Sequence, residues 1–329
     1  MNTRRKLVIA IGTGAFAPLA SFGQQPGKVW RVGFLAQRHL EFVDSDTAFR
    51  PFTQGMRELG YVEGRNVAIE WRSAEGISER LPELAADLVR LKVDVLATQG
   101  TPAALAAQKA TATIPIVMIN VADPLGTGLV KSLARPGGNS TGLSTIGGEL
   151  GPKLLEMLHA MAPKASRVAV LVNPTNASTT LVLQHIQAAA PKVGVKIQLV
   201  EARTPQEISN GFGVMARQNI RALIVPQESL FNQQKSQIVE LAAKHRLPSI
   251  GGNSEYAEAG GLMSYGHNLR ENYRRAATYV DKIFKGASPG DLPVEQPTTF
   301  ELAVNLKTAK ALGIKVPQII LIQATKVIE

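Results

Sequence analysis

Residues 114–144 read IPIVMINVADPLGTGLVKSLARPGGNSTGLS, and this stretch decides the fold class. The apolar, β-branched run from Ile114 to Ile119 reads as a short buried strand. Asp123-Pro124 follows, an N-cap residue ahead of a proline suited to the first helical turn. Gly128 to Leu133 is then expected to make one or two helical turns. Arg135-Pro136-Gly137-Gly138-Asn139 is a turn leading into another strand. Strand, helix and strand in this order imply a parallel sheet. In an open α/β sheet, ligands gather beyond the strands' carboxyl ends, which here means Asn120 to Gly126.

The same alternation runs outward on both sides. Strands are expected at 29–35, 67–71 and 93–97, with helices at 49–59 and 77–91 and an Ala-rich helix ending at Ala110. A second round follows: strands at 167–172, 196–200, 222–225 and 247–250, with a helix over 180–192. Arg31 and Arg167, Gly60 and Gly194, and Gly128 and Gly261 recur at an offset of 133 to 136 positions. A register held over that distance argues for duplicated units. The fold class expected is therefore α/β: two similar doubly wound parallel-sheet lobes joined by a multi-strand hinge. Lobe 1 would hold 29–145 plus about 268–294, and lobe 2 146–267 plus about 295–329. Residues 269–285 read as a helix, 299–306 as a strand, 307–312 as a helix closed by Gly313, and 319–322 as a last strand.

Composition narrows the function. The chain has 329 residues, 45% of them hydrophobic, enough for two cores. The net charge is +10, but no dense basic run exists, so nucleic acid is not an expected partner. There is no cysteine, which rules out disulfides, thiol nucleophiles and a lipid-modified cysteine tether. Arg4-Arg5-Lys6, the apolar residues 7–17 and the small residues around Ala20-Ser21 read as an export signal over 1–23, cleaved before Gln24. The apolar run is shorter than the roughly 20 residues a membrane span needs. The mature protein is expected in the periplasm.

Chemistry-bearing motifs are few. The five histidines (39, 159, 185, 245 and 267) show no metal spacing, and no phosphate-binding loop of the G-x-x-x-x-G-K-[ST] type exists. No metal, cofactor or catalytic residue is expected. Gly138 to Gly142 matches G-x-S-x-G, which would make Ser140 the nucleophile of an exported hydrolase. That elbow needs a strand before it and a helix after it, whereas a Pro-Gly-Gly turn precedes Ser140 and a strand-like segment follows. Polar residues at strand ends are better site candidates: Gln37, Gln99, Asn120, Asn173, Gln227, Glu228 and Asn253, with Ser254 and Glu255 beside the last. Thr101 opens a helix whose free N–H groups suit a carboxylate. Asp123 or Glu228 suits an amine, although Asp123 is equally a helix cap. Phe42, Phe49 and Tyr256 are rings that could stack on a ligand or pack in the core.

Several segments together resemble the ABC-transporter substrate-binding family that includes tryptophan/tyrosine-type binding proteins. They are Ile114 to Val117, Asp123 to Val130, Ser132 to Asn139, Gly260-Gly261-Leu262-Met263-Ser264-Tyr265-Gly266, Asp291 to Pro297, and Asn305 to Gly313. The resemblance covers essentially the whole mature chain. It implies a type I periplasmic-binding-protein fold that closes on a small solute and delivers it to an ABC permease in the inner membrane, as a monomer. Arg38-His39 and Gln227-Glu228 depart from the pattern, since amino-acid binders of this type often show an Asp at the second place. A ligand-sensing subunit docked on a membrane receptor is the alternative to a permease partner. In the closed state, residues from both halves should touch the ligand.

Overall fold

The computed structural model describes residues 28–38, 49–176 and 178–329. The expected export segment, His39 and Phe42 lie outside the described residues.

The first half builds β1 (Trp30–Ala36), α1 (Arg50–Glu58), β2 (Val67–Ser73), α2 (Leu81–Arg90), β3 (Val95–Gln99), α3 (Gly100–Ala110), β4 (Ile116–Ala122) and β5 (Ser140–Thr145). The chain then crosses into α4 (Gly147–Met161), β6 (Arg167–Val172), α5 (Thr179–Ala189), β7 (Lys196–Glu201), α6 (Pro205–Arg217) and β8 (Ala222–Val225). It continues through α7 (Ser229–Gln233), α8 (Lys235–Lys244), β9 (Ser249–Gly251), α9 (Ser254–Glu258) and β10 (Met263–Gly266). A long α10 (Leu269–Phe284) is followed by β11 (Glu301–Asn305), α11 (Leu306–Leu312), α12 (Gln318–Gln323) and β12 (Lys326–Ile328).

Two sheets result, ordered β2-β1-β3-β4-β5 and β12-β11-β10-β9-β8-β6-β7. The run β7-β6-β8-β9-β10 has the order of β2-β1-β3-β4-β5, so the duplicated sequence register corresponds to a duplicated topology. All pairs in the first sheet are parallel. In the second, β10 and β11 are antiparallel. The reason is connectivity: β11 enters this sheet from the other lobe, not through a crossover helix of its own. Each sheet carries apolar clusters on both faces, as buried parallel strands require.

Helix α10 packs its Tyr273, Ala276, Ala277 and Val280 into the β1–β5 lobe. There Gly55 of α1 is indispensable, because a Cβ would sit 2.8 Å from the Arg274 carbonyl oxygen. The chain thus crosses between the lobes three times: at 145–147, 266–269 and 295–301. These crossings are bound together. Glu295 N–H donates to the Gly142 carbonyl (2.9 Å), and Ser144 N–H donates to the Glu295 carbonyl (2.9 Å). Asn268 caps α10 and also donates to Glu301 Oε1 at 3.1 Å. Arg275 grips Glu295 through two bonds of 2.8 and 2.9 Å, which hold that carboxyl below its usual range.

His267 lies on the second crossing, 2% exposed, with neither ring nitrogen partnered. Burial pushes its pKa from 6.5 down to about 4. Between those values the unfolded chain binds a proton that the folded chain does not. Stability from this group is therefore present above pH 6.5 and lost as pH falls toward 4, by about 3 kcal/mol in all. Denaturant midpoints should drop across this window, and less steeply in a His267→Leu variant. Equal slopes for the two proteins would refute the assignment.

Two expectations fail. The segment 128–133 is not helical but a set of turns, in which Gly128 N–H bonds the Leu125 carbonyl and Val130 N–H the Pro124 carbonyl. Asp123 and Gly128 both have left-handed backbones (φ 44° and 74°), which stop a helix from propagating, and Leu129 and Val130 turn into the core instead. The run 319–322 is helix α12, not a strand; the last strand is β12. Only Ile320 of α12 is buried, and Ile322 is 70% exposed. A short apolar run does not distinguish strand from helix by itself.

Candidate functional site

The carboxyl ends of both sheets point into one cleft. Lobe 1 supplies Arg38 just past β1, Gln99 ending β3, Gly100 and Thr101 opening α3, Asn120 and Ala122 ending β4, and Thr145 ending β5. Leu269 and Tyr273 of α10 close the hinge side. Lobe 2 faces them with Asn176 and Ser178 after β6, Gln227, Glu228 and Ser229 after β8, and Asn232 of α7. They enclose a cavity of about 30 Å³. A second one of about 20 Å³ adjoins it on the lobe 2 side, reaching Asn173, Val182 and Phe231. An outer groove of about 290 Å³ runs between residues 75–79 of lobe 1 and Thr175, Arg203–Pro205 and Gln233 of lobe 2. The lobes touch directly: Gln99 Nε2 donates to Ser229 Oγ at 2.9 Å.

Local structure sets each side chain. Asn120 holds a left-handed backbone (φ 57°), which asparagine tolerates better than most residues, and its Oδ1 accepts from Asn272 Nδ2 at 2.7 Å. Thr101 Oγ1 accepts from Ala122 N–H at 3.1 Å, joining the start of α3 to the end of β4. Gln99 Oε1 accepts from Gln37 N–H at 3.3 Å, so Gln99 bridges β1 and the opposite lobe.

Glu228 is fully buried and caps α7. Its Oε2 accepts from the N–H groups of Leu230 (2.7 Å) and Phe231 (3.3 Å). Its Oε1 accepts from Asn173 Nδ2 (3.2 Å) and Asn176 Nδ2 (3.4 Å). Burial pushes this carboxyl above its usual range and outweighs the four donors pulling it down. Glu255 goes the other way: burial would raise it, but Arg38 and Lys235 together bring it below its usual range. Gln227 Oε1 is buried at the cavity without a partner. Tyr273, buried beside Arg38 and Asn120, has its hydroxyl pushed up to about 12 by desolvation.

Of the sequence-derived candidates, Gln99, Thr101, Asn120, Gln227 and Glu228 meet at this cavity, and Asn173 lines the adjoining one. Three do not line it. Asp123 is turned into its own loop, where Oδ1 accepts from Gly126 N–H at 2.8 Å; it closes a turn and caps no helix, and it does not line the cavity. Gln37 lies behind the wall, donating to Ser78 Oγ at 2.8 Å. Asn253 donates to Asn232 Oδ1 at 2.6 Å and supports the site from behind, while itself lining an outer hollow with Ser254 and Glu255. Glu228, for its part, is spent on capping and not free to take an amine. Tyr256 is a core residue whose hydroxyl donates to Ser249, and Phe49 packs edge-on against Phe34 and Tyr273.

Sequence reasoning did not single out Asn176, Ser178, Ser229, Asn232 and Thr145, which also line the cavity, and treated Arg38 only as a departure from a family pattern. The signal that could have found most of them is adjacency: they follow strand ends already singled out. Ser140, the alternative nucleophile, begins β5 in full burial, and its Oγ has no hydrogen-bond partner, hence no base. The hydrolase reading fails on that geometry.

Comparison with known proteins agrees with this architecture. A tyrosine-binding protein of Clostridioides difficile (strain R20291) is 28% identical over 276 residues, covering 84% of this chain and 79% of that protein. The ABC domain from Streptococcus pneumoniae in complex with L-Trp is 26% identical, covers 91% of this chain and 99% of that one, and superimposes with a TM-score of 0.83. The ligand-free, open structure of a substrate-binding protein with adhesive properties from Clostridium difficile is 27% identical with the same coverages and a TM-score of 0.62. Residues 40–328 match the family described as ABC transporter substrate binding protein. With 40–328 matched and two lobes meeting at a polar cleft, this protein belongs to the ABC transporter substrate-binding proteins.

Proposed function

We propose that this protein captures an amino acid or closely related carboxylate between its lobes in the periplasm, and hands it as a monomer to an ABC permease in the inner membrane. The observation that carries this is the convergence of polar groups from both sheets on one cavity, spanned by the Gln99–Ser229 bond. A ligand held this way stabilises closure because the open form lacks half of its contacts. The relatives support the ligand class: one is a tyrosine-binding protein, and another was solved with L-Trp. At near-equal identity the chain superimposes better on the L-Trp complex than on the ligand-free open structure, which supports a closed lobe arrangement. An export signal ending near Gln24 supports the location, and the mass of the mature N-terminus checks it; an intact Met1 in the cytosol would sink it.

A thermal-shift screen of amino acids, including L-tyrosine and L-tryptophan, with aromatic acids and small amides tests the reading. At a hundredfold excess over Kd a ligand should stabilise the fold by about 2.7 kcal/mol. No shift with any member of the screen would refute the proposal. Ser229→Ala removes the acceptor that Gln99 uses across the cleft. A bond of about 1 kcal/mol made only on closure corresponds to affinity roughly fivefold weaker, measured by calorimetric titration. Unchanged affinity would mean that the lobes do not close through this contact.

A further inference from the structure

The geometry points to Arg38 as the residue that selects the ligand's anionic group: a carboxylate seats between its guanidinium and the start of α3. This rests on the cleft being the solute site, and goes further by naming the group recognised and the side chain that recognises it.

Arg38 follows β1 at its carboxyl end and is 4% exposed. Among the described residues it is the one cation lining the cavity. Its Nε–H is buried and has no acceptor, while the rest of the guanidinium shares a side-chain hydrogen bond with Tyr273. The nearest carboxylate is Glu255, whose Oε2 stands 3.9 Å from Nη2, beyond hydrogen-bond reach, and already accepts from Lys235 Nζ at 2.9 Å. A buried guanidinium with an unused donor is costly, and a carboxylate accepting two parallel N–H bonds is the group that fits its fork. The same cavity is also lined, from the neighbouring strand end of lobe 1, by the N-terminus of α3, an eleven-residue helix whose N-cap side chain makes no capping bond. Its first-turn N–H groups carry partial positive charge. Two independent positive features therefore face one small space. Gln227 Oε1, buried and unpartnered on the lobe 2 side, is a neutral acceptor for a donor adjacent to that carboxylate. It needs only a hydrogen, so the donor can be an ammonium, an amide or a hydroxyl.

The test uses the mature full chain and a panel of amino acids and amine-free monocarboxylates, each paired with its primary amide, by calorimetric titration. At least one acid should bind, and its amide should bind at least about tenfold more weakly. Arg38→Gln should weaken the acid by at least about tenfold and remove the preference over the amide, while Arg38→Lys retains part of both. The wild-type acid and amide comparison stands without any variant, and thermal melting without ligand shows whether Arg38→Gln folds. Acid and amide binding within about threefold of each other, or an acid whose affinity is unmoved in Arg38→Gln, overturns the inference. If amino acids bind but neither amidation nor Arg38→Gln matters, the solute reading survives and this one does not. If amine-free acids bind in an Arg38-dependent manner while amino acids do not, the amino-acid reading fails and Arg38 stands. Binding by no acid overturns both.

Discussion

Gly142→Ala should be among the most damaging single methyls that could be added to this protein. Gly142 lies in β5 with φ 130°, and a Cβ there would meet Met118 O at 2.3 Å and Met118 N at 2.6 Å. Both are backbone atoms of the paired strand β4, so no rotamer change relieves the contact. Overpacking costs about 1–3 kcal/mol and the backbone conformation roughly 1–2 more, for a loss of about 3–5 kcal/mol. The damage also lies close to the site. The Gly142 carbonyl accepts from Glu295 N–H on the third crossing, and β4 ends in Asn120 and Ala122 at the cavity. Equilibrium denaturation of the variant should show this loss, with weakened ligand binding in whatever fraction folds. A variant within about 1 kcal/mol of the parent would show that β4 and β5 are not paired as described.

Glu228→Ala should come second. It deprives four donors of their acceptor: two backbone N–H groups of α7 and the side-chain amides of Asn173 and Asn176. Each buried unsatisfied group costs about 1–3 kcal/mol, partly offset by no longer burying a carboxyl, for a net loss of about 3 kcal/mol. Asn176 lines the cavity, and so does Ser229 at the start of α7, so affinity should fall along with stability. Denaturation and titration of one preparation read both effects. If stability falls while affinity holds, Glu228 only caps the helix and does not position the site. If neither falls, the four-donor arrangement is wrong.

Much of this was legible in residue order. Alternating strand and helix patterns, the recurring register and the glycines closing α1, the 3-10 turn that follows α5, and α11 lead to two α/β lobes, because buried parallel strands and left-handed helix ends have local composition signals. Rules about strand ends also singled out Gln99, Thr101, Asn120, Gln227 and Glu228, which line the cavity between the lobes. They failed at Asp123, which has the same local context but spends its carboxylate on its own turn. They failed at 319–322 as well, where the apolar run is helical and mostly exposed.

What the sequence by itself determined is the class of fold, the duplication and the regions that supply the cleft, since each depends on periodicity and on backbone preferences acting over a few residues. Only the tertiary structure decided which polar side chains are free. The amide nitrogens of Gln37 and Asn253 are taken by Ser78 and Asn232, Glu228 is spent on four donors at once, and Arg38 is buried with a donor to spare. Those outcomes turn on partners distant in the chain, 55 positions for Asn173 and Glu228 and farther for Arg38 and Glu255, and on loss of water across two lobes. Neither leaves a mark on the local sequence.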